Sequence, residues 1–271
     1  MEQILKTAEK VAVDAVLSAG RIAREKFNSS DIIIEEKGSS GDVVTEVDYL
    51  AEKEILHKIQ EHFPNHQIRS EETGWLGVEG DWLWIVDPLD GTNNFTIGLP
   101  IFGVSITLLY KKEAVLGVIY DSMLDKIYMA ENNKGAICED EFIKVKSSST
   151  IEKMTVGWIQ GHVVQNDQNA RKLKYHLDYT FKRTLSLWAP TLIWAMLARG
   201  DIDGVVLYNS EGDDLYSGLL LAKEAGAMIM DFEGNTFEGM NPEPYIIACH
   251  PDHKERFLEI VKEGLDEKVV D

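Results

Sequence analysis

The 271-residue chain carries 46 acids against 27 bases, a formal charge of −19, with 44% hydrophobic and 9% aromatic residues. That composition can fill a globular core and argues against disorder, while its acidic field repels phosphate backbones and anionic lipid. Neither nucleic acid nor a membrane is therefore an expected partner, and handling a phosphorylated molecule would require cations at the site, which makes metal ligands worth seeking.

The amino terminus mixes charges through its apolar positions and shows no stretch of signal-peptide or membrane length. Cys138 and Cys249 lie far apart and outside any CxxC or Cys/His cluster, so a reducing, cytoplasmic setting is expected. Residues 2–27 place Ile4, Leu5, Ala8, Val11, Ala12, Ala15, Val16 and Ala19 on one helical stripe that tolerates Gly20. Residues 31–37 and 42–47 read as short extended segments, followed by a helix from about Asp48 to Phe63 that Pro64 closes. His57, His62 and His66 near its end read as a solvated face.

The stretch 82-WLWIVDPLDGTNNF-95 follows. Its apolar run suits a buried strand, and Pro88 lacks the N–H needed to continue a central ladder, so Asp87 is expected at the strand's end. Gly91 permits close backbone approach, and residues 91–95 can open a short helix with free N–H groups in its first turn. Asp87 and Asp90 would then share one small volume, where two carboxylates repel unless a cation separates them or one keeps its proton. Mg²⁺, with oxygen ligands at about 2.0–2.1 Å, answers that repulsion. Taken alone, DxxDG is better explained by an Asx turn with Asp as a cap, and the surrounding sequence must decide.

Strands are predicted at 102–110, 114–121, 126–131 and 141–145, spaced closely enough to be antiparallel neighbours. After 147-SSST-150 strands and helices alternate: a strand at 155–159, a helix over 190–199, a strand at 203–208, a helix from Asp214 to Gly226, strands at 228–232 and 245–249, and a closing helix through Val261. Two packed subdomains, 1–146 and 147–271, are expected. Further acids precede and follow the motif: 41-GDVVTEVD-48, 70-SEETG-74 and 211-EGDDLYSGLLLAKEAGA-227, in which Asp48 and Asp214 are both N-cap types.

These four elements, in this order and spacing over nearly the whole chain, resemble the inositol monophosphatase family of Mg²⁺-dependent, lithium-sensitive phosphatases. The resemblance implies a layered α/β/α/β/α sandwich shared with fructose-1,6-bisphosphatase, and a homodimer. It implies about two or three Mg²⁺ ions. Glu71, Asp87 and the Leu89 carbonyl would hold the first, Asp87, Asp90 and Asp214 the second, and Glu71 a weaker third through water. Asp48 and Thr92 would orient and deprotonate a water. The Gly91 and Thr92 amides would hold phosphate, Lys37 would lie near the metals, and Asp90, Asp214 and the Trp188-Ala189-Pro190 segment would meet the leaving group. The implied activity is hydrolysis of a small phosphate monoester, most simply inositol 1-phosphate, without a phosphoenzyme.

The chain departs from the family in three places. Asp213 precedes Asp214 where members usually have Trp. Trp188-Ala189-Pro190 replaces a Gly-small-Ala segment, and Leu207 replaces an acid, with Asn209, Ser210 or Glu211 as candidate substitutes. Altered polyol contacts leave open the 2′-phosphate of NADP(H), fructose 1,6-bisphosphate and 3′(2′),5′-bisphosphate nucleotides as substrates. Asn93-Asn94-Phe95 after the motif favours the inositol phosphatase branch over the nucleotidases. A haloacid dehalogenase mechanism needs acids two residues apart, whereas Asp87 and Asp90 are three apart. A catalytically weak ligand sensor is a further reading, opposed by the retention of Asp48, Glu71, Asp87, Asp90 and Asp214 together with Thr92.

Overall fold

The computed structural model describes residues 1–38, 41–147, 150–210, 212–238, 240 and 244–266. Helix α1 (Glu2–Lys26) follows the predicted stripe, with Ala8, Ala12, Ala15, Val16 and Ala19 fully buried. Gly20 is required by packing, since a Cβ there would stand 2.3 Å from the Tyr120 ring. The hairpin of β1 (Ile34–Lys37) and β2 (Asp42–Thr45) leads into α2 (Glu46–His62). This helix begins two residues earlier than expected. Thr45 is its N-cap, accepting from Val47 N, while Asp48 accepts from Thr45 N at 2.8 Å in a capping box. Asp48 is thus the third helical residue, not the cap.

Strand β5 (Trp82–Asp90) runs through an eight-stranded sheet, parallel to β3 (Gln67–Ser70) and antiparallel to β6 (Gly103–Tyr110). Beyond β6 lie β7 (Glu113–Asp121), β8 (Lys126–Glu131), β9 (Gly135–Cys138) and β10 (Glu141–Ile143), an antiparallel meander, and β4 (Gly74–Leu76) closes the other edge. Side chains alternate across this sheet. Trp84 and Val86 pack with α1 and α2, while Ile85 packs on the opposite face.

A second, five-stranded sheet takes the order β12 (Arg183–Leu185), β11 (Thr155–Gln160), β13 (Gly204–Tyr208), β15 (Tyr245–Cys249), β14 (Met228–Asp231). Val205 and Leu207 face inward onto α5 (Pro190–Ala198) and α6 (Leu215–Glu224), which also meet Ile85 and Leu109 of the first sheet. Val206 and Tyr208 face outward with α4 (Gln168–Thr180) and α7 (Lys254–Asp266). The result is the five-layer α/β/α/β/α sandwich.

Helix α4 and strands β3, β4, β9 and β12 have no counterpart in the sequence reading. Only Ala170, Leu173 and Leu177 of α4 are buried, too narrow a stripe to stand out in a polar segment. Residues 148 and 149, in the expected seam, lie outside the described residues, as does Glu211. No described helix is long and apolar enough to cross a membrane.

Candidate active site

The sequence reading ended the motif strand at Asp87, yet the ladder resumes beyond Pro88: Asp87 pairs Ser105 and Asp90 pairs Gly103. Three residues of β5 thus span two of β6, a bulge that absorbs the missing proline N–H. In a flat strand residues three apart face opposite sides, and the inserted residue returns Asp90 to the face of Asp87. The bulge therefore builds the carboxylate pair.

Gly91 follows at φ 93°, a left-handed conformation in which a Cβ would meet Ile101 O at 2.9 Å and Ala189 Cβ at 3.2 Å. It heads the short helix α3 (Thr92–Thr96). Thr92 Oγ1 lies 2.8 Å from both Asp48 Oδ1 and Leu89 O. One hydroxyl proton serves two acceptors there, so the Asp48 oxygen retains capacity for another donor.

Tertiary contacts hold the remaining acids. Asp90 Oδ2 accepts from Thr191 N at 2.8 Å and from the Thr191 hydroxyl, both at the start of α5. Asp87 Oδ1 accepts from Leu89 N at 3.0 Å. Asp214 is the N-cap of α6 but makes no side-chain cap bond. Its carbonyl accepts from Ser217 Oγ at 3.1 Å, and Ser217 in turn pairs with Ser105 at 2.6 Å. Lys37 Nζ bridges Glu71 at 2.9 Å and Glu72 at 2.6 Å. Buried Glu52 on α2 accepts from Glu72 N at 3.1 Å, Thr73 N at 2.9 Å and the Thr73 hydroxyl, fixing the turn that presents Glu71.

These elements enclose a cleft of about 510 Å³ lined by Glu71, Asp87, Leu89, Asp90, Gly91, Thr92, Trp188, Pro190 and Asp214. Asp48 sits fully buried behind Thr92, and Ala189 is buried beneath Gly91. Trp188, for which core packing was a competing expectation, is 39% exposed in the cleft with φ 52°. Leu207 is buried between the sheets and does not line the cleft, so its apolar nature does not bear on leaving-group contacts. His66 belongs to an aromatic cluster rather than a solvated face, accepting from Trp84 Nε1 at 3.1 Å and stacking on Trp82.

Crowding shows in the protonation equilibria. Burial, then Glu71, Asp90 and Asp214, raise the Asp87 carboxyl well above its ordinary range. Burial raises Asp90 to about 7 despite two Thr191 bonds. Burial, then Asp90 and Glu71, likewise raise Asp214. Burial also raises Asp48, against the bonds from Thr45 and Thr92. Burial opposes the charge of Lys37, but Glu71 and Glu72 outweigh it and raise its pKa.

Among the described residues no three of His, Cys, Asp or Glu stand as a closed ligand cage. Glu71 is drawn toward Lys37 and one Asp90 oxygen is committed to Thr191. The donor set is nevertheless all oxygen and mutually repulsive, which fits a hard divalent cation. Glu52, Thr191 and Arg69 were missed from sequence. Glu52 lies four residues after Asp48 on one helix face, the only local hint of its role.

A five-layer sandwich whose acids converge at a strand bulge and a helix start builds an all-oxygen site of the class that suits a hard divalent cation. Similarity to known proteins assigns the family. The model of the inositol monophosphatase family matches residues 4–265. Inositol monophosphatase 1 of Solanum lycopersicum is 33% identical over 263 residues, covering 93% of each chain. The fructose-1,6-bisphosphatase/inositol-1-monophosphatase of Thermotoga maritima is 33% identical over 201 residues, 74% of this chain and 76% of that one. The crystal structure of extragenic suppressor protein suhB from Bartonella henselae matches with a TM-score of 0.88 at 27% identity, covering 95% of this chain and 99% of that chain. The chain belongs to the inositol monophosphatase family.

Proposed function

We propose that the protein hydrolyses a small phosphate monoester, with inositol 1-phosphate the first candidate, and that Mg²⁺ is its ion. The reading is carried by the convergence of Asp87, Asp90, Asp214 and Glu71 on a single cleft, where burial together with the last three raises the pKa of Asp87. Glu71, Asp87 and the Leu89 carbonyl would hold one ion, and Asp87, Asp90 and Asp214 another, with Glu71 near a weaker third. When bound, these cations neutralise charge on the phosphate and the departing oxygen and acidify water. The amides of Gly91 and Thr92 orient the phosphate. Thr92 Oγ1 passes its hydrogen bond to Asp48, whose carboxylate receives the proton of the attacking water. Asp90 and Asp214 meet the leaving group beside Trp188, Ala189 and Pro190, and Lys37 anchors Glu71.

The exposed Trp188 favours a second reading in which the leaving group is broader than inositol, as in NADP(H), fructose 1,6-bisphosphate or bisphosphate nucleotides. The family also supports a lithium-sensitive homodimer, and the unpaired Cys138 and Cys249 fit a cytoplasmic setting. The test is phosphate release from these esters with Mg²⁺ and with chelator, alongside Asp90→Asn. Hydrolysis should require the ion and fall about 100-fold or more in the variant. A rate indifferent to both would leave the ligand-sensor reading in its place.

A further inference from the structure

Glu71 stands at the end of β3 in the first sheet, whereas Asp214 heads α6 in the layer between the sheets. Between the end of β13 at Tyr208 and the start of α6 at Leu215, Asn209 stands at φ 43° and none of the described residues lies in a helix or strand. Asp214 has no side-chain cap bond to anchor it there. Across the cleft, Arg69 Nε lies 2.8 Å from Asp213 Oδ1, with the two side chains 24% and 8% exposed. Arg69 precedes Glu71 by two residues, and Asp213 precedes Asp214 by one. The Arg69 guanidinium is itself seated 5.8 Å from the ring centroid of Trp75, its ladder partner on β4.

We infer that Arg69 and Asp213 form a positioning pair that sets the separation between Glu71 and Asp214 and so tunes divalent-cation affinity. Arg69 has no direct part in this chemistry: it acts through Asp213 on the segment that carries a ligand. The inference rests on the proposed function for the identity of that cation. A half-buried ion pair is a suitable strut, because removing either partner takes away a charge-charge contact that ties β3 to the segment carrying Asp214.

The sign of the effects separates positioning from a simple field effect. If Arg69 acted only through its charge, Arg69→Gln would strengthen cation binding, because a positive charge near the site would be gone. Positioning requires Arg69→Gln and Asp213→Asn each to weaken Mg²⁺ binding, by about 10-fold, and the double variant to be no worse than either single one. Calorimetric Mg²⁺ titration of the full chain reads this without any substrate, and melting temperature verifies that each variant folds. Tighter Mg²⁺ binding in Arg69→Gln, or losses that multiply in the double variant, would overturn the pair's role. So would unchanged Mg²⁺ affinity with a raised substrate KM in Arg69→Gln alone, which would make Arg69 a substrate contact. Wild-type chain that binds Mg²⁺ but releases no phosphate would count against the proposed function and leave this test intact.

Discussion

At the scale of single residues, Thr92 and Asp48 illustrate how a local signal acquires a chemical role from its surroundings. Asp48 closes a capping box with one oxygen and accepts from Thr92 with the other, so its position is set by the start of α2 before any ligand arrives. Burial raises its pKa against the hydrogen bonds from Thr45 and Thr92. Thr92→Ala removes the donor while leaving the cap intact. It should lower kcat by about 100-fold or more, with KM and melting temperature close to wild type, whereas Thr92→Ser should retain most activity. A Ser variant as slow as the Ala variant would exclude the hydroxyl as the working group.

At the scale of elements, α6 has two duties. Its first turn presents Asp214, and its body packs against α5, whose own first turn holds Asp90 through Thr191. Contact between the helices is close enough that a Cβ on Gly218 would fall 2.2 Å from Trp194 Cδ1. Gly218→Ala should therefore push α6 from α5 and destabilise the fold by about 1–3 kcal/mol, measurable by urea denaturation. It should also weaken Mg²⁺ binding, since Asp214 and Asp90 would no longer approach correctly. A neutral variant would show that the two helices can separate without disturbing the acids. The β5 bulge belongs to the same scale, because one inserted residue turns a sequence spacing that would split Asp87 and Asp90 into one that joins them.

At the scale of the whole molecule, the acid cluster makes metal-free stability depend on pH. Asp90 is raised from 3.8 to about 7, and Asp87 and Asp214 are raised as well. A carboxyl that holds its proton more tightly when folded contributes fully below pH 3.8. That contribution is lost as the pH climbs through about 7. In chelator the melting temperature should accordingly fall between pH 5 and pH 8, and Asp90→Asn should flatten part of the slope. Mg²⁺ at about 100 times its pH 8 Kd would add about 2.7 kcal/mol at that pH, and the same concentration should stabilise less at pH 5, where protons compete for the acids. Equal shifts at the two pH values would mean that the cation does not relieve this cluster.

Periodicity and residue chemistry in the sequence determined α1, the meander strands other than β9, and the strand-turn-helix around Asp87 and Asp90, while the five-layer architecture came from the resemblance of the motifs to a known family. They also singled out the acids that now surround the cleft, because motif order survives any rearrangement of the layers between. Polar α4, with its narrow apolar stripe, and the short β3 and β4 gave periodicity little to work with. Only the tertiary structure decided that Pro88 lies within a strand, that Trp188 faces the cleft while Leu207 does not, and that Glu52, Thr191 and Arg69 hold the acids in place. The contacts of Glu52, Thr191 and Arg69 join residues 20 to 144 positions apart, and a chain's local preferences carry no record of partners that meet only when its layers pack.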